Sequence, residues 1–533
     1  MFSEELKFMF TNVSFLAFLL VLIPVYFLIP KKGQWICLLV ASYVFYFFTS
    51  STLPVYMLIA TVSIYFGARK IDKINCEHNA YLEENKASLS REDKAELKKA
   101  SKKKKKLYLI PCVVVNLGML VVLKYGNMFI GTANSLFSSS IPLMSLALPL
   151  GISYYTLQSI GYLIDIYKGR YRCETNFFKL SLFVSFFAQI IQGPFGRFDH
   201  LAHQLYEEHN FSYERLKSGL VLMLWGYFKK LVIADKIGPA VEAVFADVPS
   251  YNGMQFLFTA ILFSFQVYAD FSGYMDIASG VCEILGIDLA KNFDRPFFSK
   301  SVEEYWRRWH ITLGAWFKDY VFFPLSVSKP AVNLSKKCRK KGHLKLAKLL
   351  PSYFALIFVW CLTGLWHGAS WKYVLWGAGN CIFIILSMQF ETVFDKIKKS
   401  LKIKENNIIW RSFRIVRTFF IISLLRVFSR IPTFGDIGLF YKKLFTMADI
   451  SSWDLSTFFP GIDGFDVACI IVGAAVFYII SMLQFKYPQV RKQLFTKNYF
   501  VQSVVIILLI FTILIFGTYG SGIDVAGFIY AKF

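Results

Sequence analysis

Two histidines stand apart in this chain. His310 closes the run Glu303-Glu304-Tyr305-Trp306-Arg307-Arg308-Trp309-His310, and His367 sits within Gly364-Leu365-Trp366-His367-Gly368-Ala369-Ser370-Trp371. The sequence has only seven histidines, and these two share one aromatic, largely apolar stretch, 301–380. An ionisable side chain inside a hydrophobic segment is costly to bury and marks a functional site by default. Imidazole titrates near neutral pH, which suits it to general-base work. Burial among tryptophans, with no carboxylate beside His367 in sequence, disfavours the imidazolium. A neutral His367 can then take a proton from a hydroxyl. The chain has no Gly-x-Ser-x-Gly elbow, no metal-ligand helix and no glycine-rich phosphate loop. Two readings are left: acyl transfer to an alcohol assisted by histidine, or no catalysis. Trp306, Arg307, Trp366 and Trp371 flank the histidines and are the nearest candidates to bind or orient a substrate.

A second group of polar residues lies in Tyr268-Ala269-Asp270-Phe271-Ser272-Gly273-Tyr274-Met275-Asp276. Asp270 and Tyr274 are four apart, as are Ser272 and Asp276, so each pair shares a helix face. They either orient a substrate or a histidine, or form a satisfied internal hydrogen-bond network. A third stretch, Leu148 to Ser159, carries Ser153, Tyr154, Tyr155, Thr156 and Gln158. Polar groups at membrane depth face protein or a watery cavity. Gln158 is therefore a candidate tunnel-lining residue, with small-residue helix packing as the alternative. Gly193-Pro194 breaks the following segment and suggests a re-entrant turn. His200, His203 and His209 sit among polar residues with weak metal-ligand spacing, so no metal is expected.

The elements that must position these groups are membrane helices. The chain is 56% hydrophobic and only 18% charged, and its mean hydropathy is +0.47. Apolar runs of spanning length recur at 13–29, 107–122, 467–482 and 501–516, so the fold class is an all-α polytopic membrane protein. The net charge of +24 is concentrated in short segments between apolar runs. That is the pattern of cytoplasmic loops touching anionic lipid, and it argues against a nucleic-acid partner. Residues 69–106 read as such a basic cytoplasmic loop, with a short polar helix from Arg91 to Lys106. Nine scattered cysteines show no Cys-x-x-Cys spacing, so neither a disulfide framework nor a zinc site is indicated. Met1 to Asn12 does not read as a cleaved signal, and the first span is expected to be retained. Counting crossings places both termini outside, with roughly ten to twelve spans. The whole chain, 1–533, reads as a single membrane domain with 301–380 as its core.

The ordered set Trp306-Arg307-Arg308-Trp309-His310-Ile311-Thr312, Asp319-Tyr320-Val321-Phe322-Phe323-Pro324-Leu325 and Leu365-Trp366-His367-Gly368 resembles the membrane-bound O-acyltransferase (MBOAT) family. The likeness is to its bacterial branch of alginate O-acetyltransferases and teichoic-acid D-alanyl transfer proteins. Leu148 to Ser159, Gln192-Gly193-Pro194 and Asp270 to Tyr274 match that branch too. The resemblance implies a ring of helices around a central tunnel with re-entrant segments, in a bacterial cell membrane. It implies that His367 is the essential histidine in the tunnel and His310 the second, more cytoplasmic one. It further implies an acyl donor entering from the cytoplasm, acetyl-CoA first and a D-alanyl carrier-protein thioester as rival. No permanently bound cofactor is implied. The acceptor would be an envelope polymer outside, or a separate extracytoplasmic acetyltransferase. Pro324-Leu325-Ser326-Val327 departs from the family's Pro-Leu-Gly-Gly. The ending Phe528-Ile529-Tyr530-Ala531-Lys532-Phe533 resembles one found in cell-surface acylation systems. In an outer tail, 518–533, Tyr530 is either an acyl relay or an interfacial anchor. A membrane transporter with a His/Asp relay is the reading from another class, and the chain lacks the inverted repeats it calls for.

Overall fold

Helices form here wherever the sequence can cap one, even through dense charge. Ser90 and Asp93 make a reciprocal capping box, with Ser90 N donating to Asp93 Oδ2 at 2.9 Å. The Arg91–Leu120 helix starts there and runs unbroken through the five consecutive lysines and Pro111. It pairs with the Val55–Glu84 helix across a short turn, 85–90. The stretch 69–106 expected as a loop with a separate short helix is therefore a helical hairpin. Lysine and glutamate are good helix formers and keep their charged heads in water, so charge density does not by itself make a loop.

The computed structural model describes residues 10–50, 54–446, 458–487 and 489–519. Tyr530 and nearly all of the 518–533 tail lie outside these residues. Among the described residues there is no β-strand, only an isolated antiparallel bridge between Phe293 and Trp309. Among the described residues, six helices are long and apolar enough to cross a membrane: Arg91–Phe137, Gly253–Ile284, Leu344–His367, Trp371–Gln389, Gly464–Lys486 and Tyr499–Phe516. The protein is a multi-pass, all-α membrane protein. Three shorter or more polar segments do not meet that length and composition. The Val13–Leu28 helix has 16 residues, about 24 Å of rise, which is less than a hydrocarbon core. Ile408–Val427 carries Arg411, Arg414, Arg417 and Arg426. Phe177–Ser185 and Phe187–Ile190 are two pieces, parted at Phe186 (φ −51°, ψ 115°).

The chain divides into two compact units. The first comprises 1–216 and 281–290, the second 217–280 and 291–533. In the first, Gln158 lies on the Ile152–Lys168 helix, which is buried along most of its length. In the second, the Gly253–Ile284 helix is the interior element: 72% of its apolar window is buried, against 11% for Tyr499–Phe516, which turns Leu508, Phe511 and Leu514 outward. Residues 291–326 follow it as loop and short helices outside the six spans, and they carry His310. Leu344–His367 and Trp371–Gln389 then pair closely, with His367 at the end of the first.

Candidate active site

His310 sits in a backbone conformation that side chains avoid. Its φ is +49° and ψ +53°, at the junction of Val302–Arg308 and Ile311–Phe317. Such strain costs roughly 1–3 kcal/mol and persists only where the surroundings over-determine it. Asn292 supplies that constraint. Its backbone oxygen accepts from Ile311 N at 3.0 Å, and its Oδ1 accepts from Thr312 N at 3.1 Å and Thr312 Oγ1 at 2.9 Å. The neighbouring Phe293–Trp309 bridge and the Asp294 N to Arg308 O bond fasten the same two strands of chain.

The same amide fixes the imidazole's tautomer. Asn292 Oδ1 lies 3.1 Å from His310 Nδ1 and already accepts a backbone N–H, so it is the carbonyl oxygen. In a neutral His310, Nδ1 must then carry the hydrogen, and Nε2 holds the lone pair. Burial pushes the His310 pKa well below its ordinary value, which keeps the ring neutral. Phe271 and Trp366 pack against it edge-on, with ring centroids 4.9 and 5.4 Å away.

His367 is positioned by a close helix pair. A Cβ at Gly364 would overlap the Tyr373 carbonyl oxygen, and one at Gly377 would overlap that of Trp360. Glycine at both positions lets Leu344–His367 and Trp371–Gln389 approach backbone to backbone. That approach brings the Trp376 ring to 4.8 Å from the His367 ring. The Trp366 ring lies 4.8 Å from His367 on another side. One indole, Trp366, therefore touches both imidazoles. Trp306 joins the cluster through Trp376 at 5.4 Å and Trp360 at 5.0 Å, and its Nε1 donates to Asn380 Oδ1 at 2.9 Å. The structure thus brings His310, His367, Trp366 and Trp306 into one aromatic site.

Asp270 and Asp276 on the Gly253–Ile284 helix are engaged by lysines. Ser272 and Asp276 do share a face, and both meet Lys229 Nζ, at 3.0 and 2.8 Å. Lys230 Nζ lies 2.7 Å from Asp270 and 2.8 Å from Asp235. Tyr274 is fully buried on the same helix. Phe271, between Asp270 and Ser272, packs against His310 from this helix. Gly226 and Gly273 make the lysine contacts possible, since a Cβ on either would come within 3 Å of the other's carbonyl oxygen.

Three other candidates take different positions. Arg307 is exposed and lies 4.0 Å from Glu303. Trp371 starts its helix and is 45% exposed. Gln158 belongs to the first unit, where its Nε2 donates to Phe183 O at 2.8 Å. His209 is in the first unit too, with Nδ1 3.1 Å from Tyr26 OH. Sequence reading overlooked Asn292, Lys229, Lys230, Asn380 and Arg426. Arg426 is buried, with its guanidinium 4.5 Å from the Trp309 ring centre and bonded to Tyr305 OH. The paired lysines at the end of an apolar helix were the one available signal among these.

Residues 174–336 match the model of the membrane-bound O-acyltransferase family, the one the histidine motifs resemble. His310 lies inside the matched residues and His367 beyond them. The probable alginate O-acetylase AlgI of Azotobacter vinelandii is 27% identical over 480 residues, covering 89% of this chain and 85% of that protein. The peptidoglycan O-acetyltransferase of Helicobacter pylori is 34% identical over 299 residues, 51% of this chain and 54% of that protein. The teichoic acid D-alanyltransferase of Bacillus subtilis is 28% identical over 257 residues, 47% and 61% of the two chains.

Proposed function

We propose that this chain, whose residues 174–336 match the membrane-bound O-acyltransferase family model, is an O-acyltransferase that O-acetylates an envelope polysaccharide from the plasma or inner membrane of a bacterium. Acetyl-CoA is the donor from the cytoplasm, and the acceptor stands on the outer side, either as polymer or as a separate acetyltransferase. The observation that carries this reading is the single indole, Trp366, in contact with both His310 and His367. The relatives acting on alginate and peptidoglycan support the choice of acceptor class.

In this reading His367 takes the proton from the acceptor hydroxyl as its oxygen attacks the thioester carbonyl. The tetrahedral intermediate expels the thiolate, which takes the proton from the imidazolium. Thioester and alcohol become ester and thiol, and His367 returns neutral. His310, with its lone pair on Nε2, orients the donor by accepting an amide N–H from the pantetheine arm. The surrounding tryptophans exclude water, which would otherwise compete for the thioester.

The test measures O-linked acetate on surface polymers in cells carrying the wild type or His367→Ala at equal membrane levels. Loss of acetate in the variant is expected. Retained acetate would remove His367 from the mechanism. Acetate absent even with the wild type would turn attention to D-alanine from a carrier-protein thioester, the reading the D-alanyltransferase relative favours.

A further inference from the structure

The second unit contains an apolar pocket of about 260 Å³ that the transfer chemistry does not use. Phe265, Tyr268, Phe297, Phe419 and Phe477 form its walls, and Arg295 is the one cation lining it. Two other lining residues, Val416 and Tyr478, are 50% and 57% exposed, so the pocket opens on the outer side of the Ile408–Val427 and Gly464–Lys486 helices. In a multi-pass membrane protein that face meets lipid.

The charge at the pocket is not balanced. Arg295 and Lys291 share one carboxylate, Asp294, at 3.2 and 3.1 Å. The Arg295 guanidinium also lies 4.8 Å from the centre of the Phe485 ring. Arg411 and Arg414 precede the pocket residues Ile415 and Val416 on the same helix. Positive charge beside an apolar slot open to lipid matches a ligand with a hydrocarbon chain and an anionic head. The volume is slightly below the usual range for a whole small-molecule ligand, which suits part of one chain.

We propose that this pocket holds an acyl chain of an anionic membrane phospholipid, with its phosphate met by Arg295. The site leads toward His310. Tyr268 forms one wall, and its ring lies 5.7 Å from that of Trp309, the residue before the histidine. Phe297 forms another and stacks on Tyr305 at 6.5 Å. A chain in the pocket braces both aromatics from the side away from the imidazole.

The experiment uses the full-length protein, purified in detergent and stripped of lipid. Native mass spectrometry counts bound phosphatidylglycerol and phosphatidylcholine with the same acyl chains, and inorganic phosphate is added as a competitor. Wild type should retain one phosphatidylglycerol with about tenfold preference, the equivalent of one charge-assisted contact. Ala474→Trp fills the slot and should lose both lipids; Ser481→Trp fills it from the next turns and should do the same. Arg295→Gln should keep lipid but lose the preference. Equal retention of the two lipids by wild type would overturn the proposal. So would retention unchanged in both tryptophan variants that elute as monodisperse protein, or displacement of phosphatidylglycerol by inorganic phosphate alone.

Discussion

Asn292 Oδ1 lies 3.1 Å from His310 Nδ1 and accepts from Thr312 twice. One side chain thus sets a strained backbone, a ring orientation and a tautomer. Asn292→Ala should lower turnover by about 10- to 100-fold, as loss of an orienting partner does elsewhere. Asn292→Asp keeps the acceptors but adds a negative charge, which favours the imidazolium. Its pH–rate profile should gain an acid limb at higher pH than the wild type. Identical profiles for wild type and Asn292→Asp would detach Asn292 from the chemistry.

The shared Trp366 contact predicts that the histidines act together. His367→Ala and His310→Ala should each remove most transfer, and the double variant should be little worse than the more severe single one. Thioester turnover by purified protein measures this. Effects that multiply would make the two residues independent.

Lys229 is buried between Ser272 and Asp276. Lys229→Met leaves the partly buried Asp276 carboxylate unpaired and should cost roughly 1–3 kcal/mol, whereas Lys229→Met with Asp276→Leu should recover much of it. Melting midpoints in detergent compare the two. If the double variant melts no higher than the single one, the carboxylate was not what destabilised it.

Burial keeps folded His310 neutral, while the unfolded chain takes up that proton near pH 6.5. The unfolded state then binds more protons below that value, so stability falls as pH drops through it, by up to about 1.4 kcal/mol per pH unit. Above it the group contributes nothing to the pH dependence. His310→Phe should flatten the acid side of the stability profile relative to the wild type.

Tyr530 lies outside the described residues, and its role is open to a direct experiment. Tyr530→Phe keeps an interfacial ring and removes the hydroxyl. As a relay, Tyr530 predicts loss of acyl transfer to the polymer with thioester turnover retained; unchanged polymer acylation would leave it an anchor.

The fold class and the histidine pair were legible because apolar runs, and rare histidines set among tryptophans, are local signals. Ser272 and Asp276 could be put on one face by spacing alone. Their partner could not be named, because Lys229 lies on another helix and its approach depends on Gly226 meeting Gly273. Asn292 was illegible for the same kind of reason. It sits in an unremarkable polar segment, and its importance comes from its bonds to Ile311, Thr312 and His310 beside the Phe293–Trp309 bridge, which no periodicity encodes. Within 69–106 a polar helix from Arg91 to Lys106 could be read from its helix formers, whereas the helical arm before it was hidden because charge was given more weight than helix propensity.

Lys229 and Lys230 are consecutive, yet both are buried and both reach the Gly253–Ile284 helix. Neighbouring residues of an α-helix do not face the same way. These two lie in a π-helical stretch, Phe228–Ala234, whose wider turn holds surplus chain. The consequence concerns insertions and deletions. Removing one residue from 228–234 would tighten that turn to an α-helical one, leaving Asp235–Ala246 in register with the helix before it. Two consecutive lysines could then no longer both face the Gly253–Ile284 helix, and one would leave the interior. Length, as much as composition, is therefore constrained in this segment: a conservative substitution there perturbs one contact, while a single-codon deletion dismantles the network.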